Sequence, residues 1–468
     1  MDTIWTPDLT QFEGAKYRRL TDALRKAVKD GILTQGEKLP PVRDLAWRIK
    51  ITPGTVARAY TILTDEGVLE AAVGRGTFVA KAKTDKAFAP LVVDGVPHNS
   101  DAESGPISLL SPVIPDVGQA AVIRELLGDI ARNPPSGMMH YPTRDAAKPA
   151  REAVVKWLQN SALGALRETD IVLCNGGQNG ILLVLQTALL GAQPVVYTEE
   201  LSYPGIQRAA NMLRMRLVSV PMDAKGMDPE GLLKAVQTHG PGMICTSPEV
   251  HNPTCVHTPE DRRREIVSIA RAHDLQILDD DCYRMGGAQA ASYRTIAPER
   301  TWYVSSISKG LTPALRIGYV VGPRDRTGDI RRSAEHSFFG LATPISDLAH
   351  ALLSYPSIEE IAERVAEKFG HYTQVALNHL GSYDVRWQSN VPFVWLKLPA
   401  GWRASAFCQA AEGVGVRIRP AEDFISRDSR APHAVRIAIN GAISAERFEV
   451  GIIKLRELLD SPPERIGV

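Results

Sequence analysis

TWYVSSISKGLTPALRIGY, residues 301–319, places one lysine directly after an apolar, β-branched run. That run is typical of a buried strand ending near Ser305, so Lys309 follows its carboxyl end, where open α/β sheets bind ligands. Hydroxyl groups and one guanidinium surround the lysine: Ser305, Ser306, Ser308, Thr312 and Arg316. Such donors suit a phosphate, which leaves the lysine amine free for other chemistry.

A nucleophilic lysine beside a phosphate site indicates a Schiff base to pyridoxal 5′-phosphate. The alternative for this stretch alone is a solvated lysine on a polar loop. The remaining sequence has to decide between these two interpretations.

Composition sets the limits within which any fold must lie. A chain of 468 residues, 44% hydrophobic and 23% charged, indicates a globular protein of two or three domains. It has no run of about 18 apolar residues, and MDTIWTPDLTQFEG lacks the basic and apolar segments of a secretion signal, so we expect a cytoplasmic protein without a membrane span. The five cysteines are odd in number and show no CxxC spacing, which predicts neither a disulfide framework nor a zinc site.

The charge is distributed unevenly along the chain. Residues 14–82 hold 13 Lys and Arg against 7 Asp and Glu, a charge of +6, whereas the whole chain carries only +1. A short basic module in front of a mildly acidic body indicates nucleic acid as a partner of the front module.

The front module shows the pattern of a winged helix-turn-helix. Helical spacing of apolar residues predicts three helices, in KYRRLTDALRKAVKDG, in PPVRDLAWRIK and in ITPGTVARAYTILTDEG, the last capped by Thr52. The second and third helices flank a tight turn, as in a helix-turn-helix. VLEAAVGRGTFVA then predicts two strands joined by a basic wing tip.

From Tyr17 to Ala80 the chain resembles the GntR-type winged helix-turn-helix, through LPPVRDLA, TVARAYTIL, EGVLE and GRGTFV. The resemblance implies that residues 14–82 bind an operator in double-stranded DNA, with the helix from Thr52 in the major groove. The residues it implies as DNA contacts are Arg43, Thr52, Gly54, Thr55, Arg58 and Arg75. Residues 83–107 have no clear periodicity and are interpreted as a linker.

The body, residues 108–465, alternates helical patterns with short apolar runs. IVLCNG, PVVYTE, RLVSVP, MICTSP, LQILDDD, TWYVSSIS and GYVVGP are all typical of strands. This alternation predicts an α/β fold with a mostly parallel sheet covered on both faces and ligands at its carboxyl edge.

Four polar clusters follow these predicted strands. GGQNGI leaves backbone N–H groups open at a helix start, which favours an anion. In ELSYPGI and EVHNPT, Tyr203 is suited to lie against an aromatic ring and Asn252 to donate to a phenolate, although a structural tyrosine and a turn asparagine explain them equally. DDDCYR needs a cation beside its carboxylates, either a protonated pyridine nitrogen or a divalent metal.

The body resembles the fold type I aminotransferases through six short motifs in the same order: GGQ, YPG, NPT, DDxxY, SxSK with an arginine seven residues later, and a late arginine. The resemblance implies a smaller C-terminal α/β subdomain and a Lys309 internal aldimine with pyridoxal 5′-phosphate. It implies that Asp280 pairs with the pyridine nitrogen and that Arg436 binds a substrate carboxylate. The other residues it implies are Tyr283 and Asn252 at the phenolic oxygen, Tyr203 on the ring, Gly177, Gln178, Ser306, Ser308 and Arg316 at the phosphate, and Tyr141 reaching the partner subunit's phosphate.

Three positions depart from the aminotransferase pattern, namely Gly177, Cys255 and Gly310. End to end, the chain resembles the MocR-type transcriptional regulators. That resemblance implies a head-to-tail homodimer and an amino acid or amine effector that forms an external aldimine in exchange for Lys309, with little or no enzymatic turnover. The alternative is a working aminotransferase with an appended DNA-binding module.

Overall fold

The computed structural model describes residues 5–12, 14–65, 68–72, 76–80, 105–189, 191, 193–426 and 429–461. The chain divides into two compact units, residues 1–95 and 96–468. Most of the predicted linker lies outside the described residues; its last residue, Ile107, is buried in the second unit.

The described residues of the first unit form three helices and a β-hairpin: α1 Lys16–Lys29, α2 Val42–Arg48, α3 Pro53–Asp65, β1 Leu69–Ala72 and β2 Gly76–Val79. Its core takes one apolar face from each helix, including Leu20, Leu45 and Val56, all fully buried. The predicted cap of α3 is present, because the Thr55 N–H donates to Thr52 Oγ1 over 3.3 Å. β1 and β2 pair antiparallel, so a hairpin follows the helix-turn-helix, as predicted.

The second unit contains two main sheets. Its strands are β3 Ile107–Ser108, β4 Ile171–Cys174, β5 Val195–Glu199, β6 Arg216–Val220, β7 Met222–Asp223, β8 Gly226–Met227, β9 Met243–Thr246, β10 Gln276–Asp280, β11 Thr301–Ser306, β12 Gly318–Val321, β13 Val385–Arg386, β14 Phe393–Lys397, β15 Val416–Arg417, β16 Arg419–Pro420 and β17 Ala434–Ala438. Its helices are α4 Gln119–Arg132, α5 Lys148–Trp157, α6 Gly177–Ala188, α7 Pro204–Met212, α8 Pro229–His239, α9 Glu260–Ala272, α10 Tyr293–Ile296, α11 Thr327–Phe338, α12 Thr343–Leu353, α13 Ile358–Leu380, α14 Ala404–Gly413 and α15 Ala445–Asp460.

The larger sheet has seven strands in the order β4-β12-β11-β10-β9-β5-β6. The prediction of these seven strands and of a mostly parallel α/β sheet is confirmed. Only β12 runs antiparallel to its neighbours β11 and β4. Helices pack on both faces and form separate apolar cores there, which explains why its central strands are buried along most of their length. The carboxyl ends of β5, β9, β10 and β11 therefore meet at one edge.

The smaller sheet is antiparallel, in the order β13-β14-β17-β16. α13 and α15 cover it and share its core, to which Phe369, Val435 and Phe448 contribute. This arrangement is the smaller C-terminal α/β subdomain that the resemblance implied. Within the described part of the chain, no helix is both long and apolar enough to cross a bilayer.

Candidate functional site

The turn after β11 carries the lysine that the sequence singles out. β11 ends at Ser306 and β12 begins at Gly318, with Lys309 half-buried between them. The Lys309 ammonium lies 5.5 Å from the ring centroid of Tyr283. The Ser305 hydroxyl, one of the hydroxyls near Lys309 in sequence, donates to the Asp281 carbonyl oxygen over 2.7 Å. It therefore joins β11 to the residue that follows β10.

The start of α6 lies against the same turn. A Cβ on Gly176 would stand 2.5 Å from Arg316 Nη2, and one on Gly177 would stand 3.9 Å from Ser306 Oγ. The open N–H groups of a helix start, a hydroxyl and a guanidinium thus come together, a donor set that suits phosphate. The buried Ser308 hydroxyl, close by in sequence, has no hydrogen-bond partner among the described residues.

The side chain of Gln178, a residue that the resemblance assigns to the phosphate, forms a hydrogen bond to the protein backbone. Its Nε2 donates to the Gly205 carbonyl oxygen over 2.9 Å, which ties the first turn of α6 to the start of α7. Gly205 is also closely packed, because a Cβ there would lie 2.2 Å from Tyr203 Cε1. A side chain at position 205 would therefore collide with both Gln178 and Tyr203.

The three aspartates at the end of β10 have different surroundings. Asp281 accepts hydrogen bonds of 2.7 Å from the Tyr303 hydroxyl and the Arg284 guanidinium. Burial, and then the nearby Asp281 carboxylate, raise the pKa of Asp279 to about 8. Asp280 is 7% exposed, forms no ion pair among the described residues and leaves Oδ1 without a hydrogen-bond partner.

Burial raises the pKa of Asp280 to about 6. A buried carboxylate without a cation is destabilising, so this position is suited to a cationic group from a ligand, such as a protonated pyridine nitrogen. For the rival metal interpretation, the described His, Cys, Asp and Glu side chains form no group of three or more that could hold an ion.

A hydrogen bond between Arg436 and Asn252 joins the smaller sheet to the loop after β9 of the larger sheet. Arg436, on β17, donates from Nη1 to Asn252 Oδ1 over 2.7 Å and from Nη2 to the Leu110 carbonyl oxygen over 2.8 Å. Phe393 and Phe424 lie 5.3 and 4.8 Å from its guanidinium. Asn252 Nδ2 is buried and has no hydrogen-bond partner in the described part of the chain, so this donor is available to a ligand oxygen.

Tyr203 and Tyr283 complete the set around Asp280. Burial, followed by the nearby Tyr283 and Asp280, raises the pKa of Tyr203 above its usual range. Tyr283 packs edge-on against Phe393 with ring centroids 5.1 Å apart. The residues that sequence analysis missed here are Cys282, which lies between Gly177 and Asp280, and the two phenylalanines beside Arg436. Cys282 lies within the DDDCYR stretch, whereas nothing local in the sequence marks Phe393 or Phe424.

Tyr141 stands apart from these residues. It is 77% exposed, and its ring lies 5.5 Å from that of Phe339, which is 67% exposed. Met138 and Met139, at 58% and 89% exposed, belong to the same segment of chain. Large apolar side chains exposed together are typical of a protein–protein contact.

The first unit presents the residues implied as DNA contacts on its surface. Arg43, Thr52, Gly54 and Arg58 are exposed and Thr55 is half-buried. The Arg58 guanidinium lies 4.1 Å from the ring centroid of Tyr17 on α1, a cation–π distance. Arg75 lies outside the described residues.

Residues 114–454 match the family model for aminotransferase class I and II, and residues 16–79 match that for bacterial regulatory proteins of the gntR family. The uncharacterized HTH-type transcriptional regulator YdeF of Bacillus subtilis is 25% identical over 97% of both chains. The probable rhizopine catabolism regulatory protein MocR of Rhizobium meliloti is 26% identical over 68% of this chain and 67% of its own. An archaeal alanine:glyoxylate aminotransferase structure superposes with a TM-score of 0.68 at 24% identity, covering 77% of this chain and 93% of that one.

Proposed function

The chain belongs to the aminotransferase class I and II family, and we propose that it is a DNA-binding transcriptional regulator whose body binds pyridoxal 5′-phosphate and senses an amino acid or amine. One observation carries this proposal: a match to the gntR family and a match to the aminotransferase family, the latter containing Lys309 and the buried Asp280, occur in one chain. YdeF, which is named as an HTH-type transcriptional regulator, shares both parts of the chain, since it aligns over 97% of it.

Pyridoxal 5′-phosphate, when bound, supplies an aldehyde for amines and a pyridine ring that withdraws electrons. In this proposal Lys309 holds the cofactor covalently, and the buried Asp280 carboxylate pairs with the ring nitrogen. The unpartnered Asn252 Nδ2 and the Tyr283 hydroxyl donate to the phenolic oxygen, and Tyr203 covers the ring. The phosphate contacts are Gly177, Gln178, Ser306, Ser308 and Arg316, of which Gln178 contributes its backbone N–H.

The effector's amine would replace that of Lys309 on the cofactor, while Arg436 binds its carboxylate. The effector alters DNA binding only if it binds the two conformations of the protein with different affinity. The DNA contacts in this proposal are Arg43, Thr52, Gly54, Thr55, Arg58 and Arg75, in a domain of residues 14–82. We place the protein in the cytoplasm, where its operator DNA is.

A head-to-tail homodimer is part of the proposal. The exposed group of Met138, Met139, Tyr141 and Phe339 is the kind of apolar surface that a second copy of the chain covers. Tyr141 then reaches the phosphate site of the partner subunit, as the resemblance implies.

A second candidate function is aminotransferase turnover. The observation that favours it is that the chain contains Lys309, Asp280 and Arg436, the residues that the resemblance assigns to the cofactor and to a substrate carboxylate. Steady release of a keto acid from an amino donor, without specific operator binding, would favour this alternative.

The test compares the wild type with Lys309→Ala, using Lys397→Ala as the matched control because Lys397 is an exposed lysine on β14. We expect borohydride reduction of the cofactor-loaded wild type to label the peptide containing Lys309, and Lys309→Ala to lose both this label and the cofactor's absorbance. Lys397→Ala should keep both the label and the absorbance. All three proteins should bind the DNA upstream of the gene that encodes the chain, and this binding should weaken as the salt concentration rises. Labelling of another lysine, or wild-type DNA binding that is equal for every sequence, would overturn the proposal.

A further inference from the structure

A second arginine lies beside Arg436 in the smaller sheet. β16 and β17 pair antiparallel with Arg419 directly opposite Arg436. Directly opposed residues of paired strands point to the same face of a sheet. Both side chains accordingly reach the same atom: Arg419 Nε and Arg436 Nη2 donate to the Leu110 carbonyl oxygen over 2.9 and 2.8 Å.

The charge of this arginine pair, Arg419 and Arg436, is only partly compensated. Arg419 Nη1 lies 3.7 Å from Asp423 Oδ2, and the Asp423 side chain is 46% exposed. Arg436 is 4% exposed, has no ion-pair partner among the described residues and leaves its buried Nε without an acceptor. Two guanidinium groups that share one neutral carbonyl oxygen therefore face a single carboxylate, an arrangement suited to a further anion.

We propose that Arg419 and Arg436 together bind the carboxylate of the effector, and that Asp423 competes with that carboxylate for Arg419. The proposal rests on the proposed function, because Arg436 is the carboxylate-binding residue of that site. It restricts the effector to amines that carry a compact anionic group, and it makes Arg419 and Asp423 specificity-determining residues. An amine without such a group leaves the Arg436 Nε unsatisfied, and its binding gains nothing from the arginine pair.

The surroundings of Asp423 support the competition. Burial raises the pKa of Asp423, while Arg419, Arg436 and Arg208 act in the opposite direction. Three cationic groups thus act on one carboxylate, so an entering anion meets a site that is still positive. Neutralising Asp423 leaves both arginines available to that anion.

The test is a spectral titration of the cofactor-loaded full chain with L-alanine and with L-alaninamide, in which a neutral amide replaces the carboxylate. We expect Arg419→Met to raise the apparent Kd for L-alanine at least tenfold and that for L-alaninamide less than threefold. Asp423→Asn should lower the Kd for L-alanine severalfold. The matched control is Arg417→Met, on the neighbouring β15, whose half-exposed side chain pairs with Glu412 at 3.5 Å; it should change neither Kd.

Equal losses of affinity for the two ligands in Arg419→Met would show that Arg419 acts only on the structure, and unchanged affinities would show that it does not bind the carboxylate. Either result would overturn the inference. An Asp423→Asn variant that binds L-alanine no more tightly would do the same, and it remains informative if Arg419→Met does not fold. Failure of the proposed function is distinguishable, because the wild type would then show no absorbance of a lysine-bound cofactor before any ligand is added.

Discussion

Arg436 Nη1 donates a 2.7 Å hydrogen bond to Asn252 Oδ1, although the two residues are 184 positions apart in the chain. The bond links the smaller sheet to the loop that follows β9 in the larger one. It also fixes the orientation of the Asn252 amide, so that Nδ2 is the atom without a hydrogen-bond partner among the residues that the structure describes. One contact therefore sets both the phenolate donor of the proposed cofactor site and the arginine of the proposed effector site.

This contact predicts the effect of Asn252→Asp. This substitution replaces the amide by a carboxylate, which would form a charge-assisted pair with Arg436 and occupy its guanidinium. We expect the apparent Kd for L-alanine to rise at least tenfold and to rise more than that for L-alaninamide, as measured by spectral titration. Asn252→Ala, which leaves Arg436 without a competing carboxylate, is the control and should change the ratio of the two Kd values much less. A ratio unaffected by Asn252→Asp would contradict the role given to Arg436.

The packing around the start of α6 predicts the effect of Gly177→Ala. The new Cβ would stand 2.5 Å from Cys282 Sγ, which forces the thiol or the helix start to move and disturbs the phosphate contacts. We expect cofactor affinity, measured by equilibrium dialysis, to fall about tenfold, equivalent to ~1.4 kcal/mol. Cys282→Ala in the same chain should restore most of it by making room.

Gly310→Ala is the control for this steric argument, because a Cβ there meets no atom within 4 Å although Gly310 adjoins Lys309. It should retain wild-type cofactor affinity. If Gly310→Ala weakens binding as much as Gly177→Ala, or if Cys282→Ala gives no recovery, the contact between Gly177 and Cys282 is not what limits the site.

The burial of Asp280 predicts an opposite change in stability and in cofactor affinity. Its pKa is raised from 3.8 to about 6 in the folded chain, so the folded state binds the proton more tightly than the unfolded state does. Stability from this group is present below pH 3.8 and is lost as pH rises through 6. Asp280→Asn avoids that loss, and the cofactor-free variant should exceed the wild type in free energy of unfolding by on the order of 3 kcal/mol at pH 7.5.

Urea unfolding of the two cofactor-free proteins checks this prediction, and their difference should shrink as pH falls from 7.5 to 5. The same substitution should weaken cofactor binding at least tenfold, because the ring nitrogen loses its anionic partner. A variant that is less stable than the wild type at every pH would show that the Asp280 carboxylate already has a compensating partner in the cofactor-free chain.

The contact between Arg58 and Tyr17 predicts a role for Tyr17 in DNA binding. The guanidinium lies 4.1 Å from the ring centroid, and an exposed cation–π contact contributes about 0.5–1 kcal/mol. We expect Tyr17→Leu to weaken operator binding about twofold to fivefold by releasing Arg58, and Tyr17→Phe to keep wild-type affinity, as measured by fluorescence anisotropy. In an Arg58→Ala background, Tyr17→Leu should have no further effect. An equal loss in both backgrounds would mean that Tyr17 acts on the fold alone.

Much of the fold could be predicted from local patterns. All seven strands of the larger sheet appear in the sequence as short, mainly apolar runs, because a strand covered by helices buries side chains on both of its faces. Lys309 and the aspartate triplet were found for a related reason, since a polar group directly after such a run lies at the sheet edge. The helices of the first unit followed from their apolar spacing and from the Thr52 cap.

The partners of those polar groups could not be predicted in the same way. The sequence shows three equivalent aspartates after LQIL, and only the resemblance selected Asp280. The structure sets Asp281 apart, since Tyr303 and Arg284 bind it, whereas Asp279 and Asp280 form no ion pair among the described residues and each leaves Oδ1 without a hydrogen-bond partner there. Ser305 shows the same limit of the sequence. Its hydroxyl donates to the Asp281 carbonyl oxygen, although the nearby Ser306 and Ser308 are proposed phosphate contacts.

The sequence by itself determined the elements of this protein, the division of labour between a basic front module and an α/β body, and the strand ends at which chemistry is placed. Only the tertiary structure decided which side chains meet: Arg419 beside Arg436, Asn252 beside Arg436, and Cys282 beside Gly177. The physical reason is that strand and helix formation depends on side chains a few residues apart, whereas these contacts depend on the order in which strands pair. In this fold that order joins β9 to β5 and β12 to β4, and no local pattern encodes it.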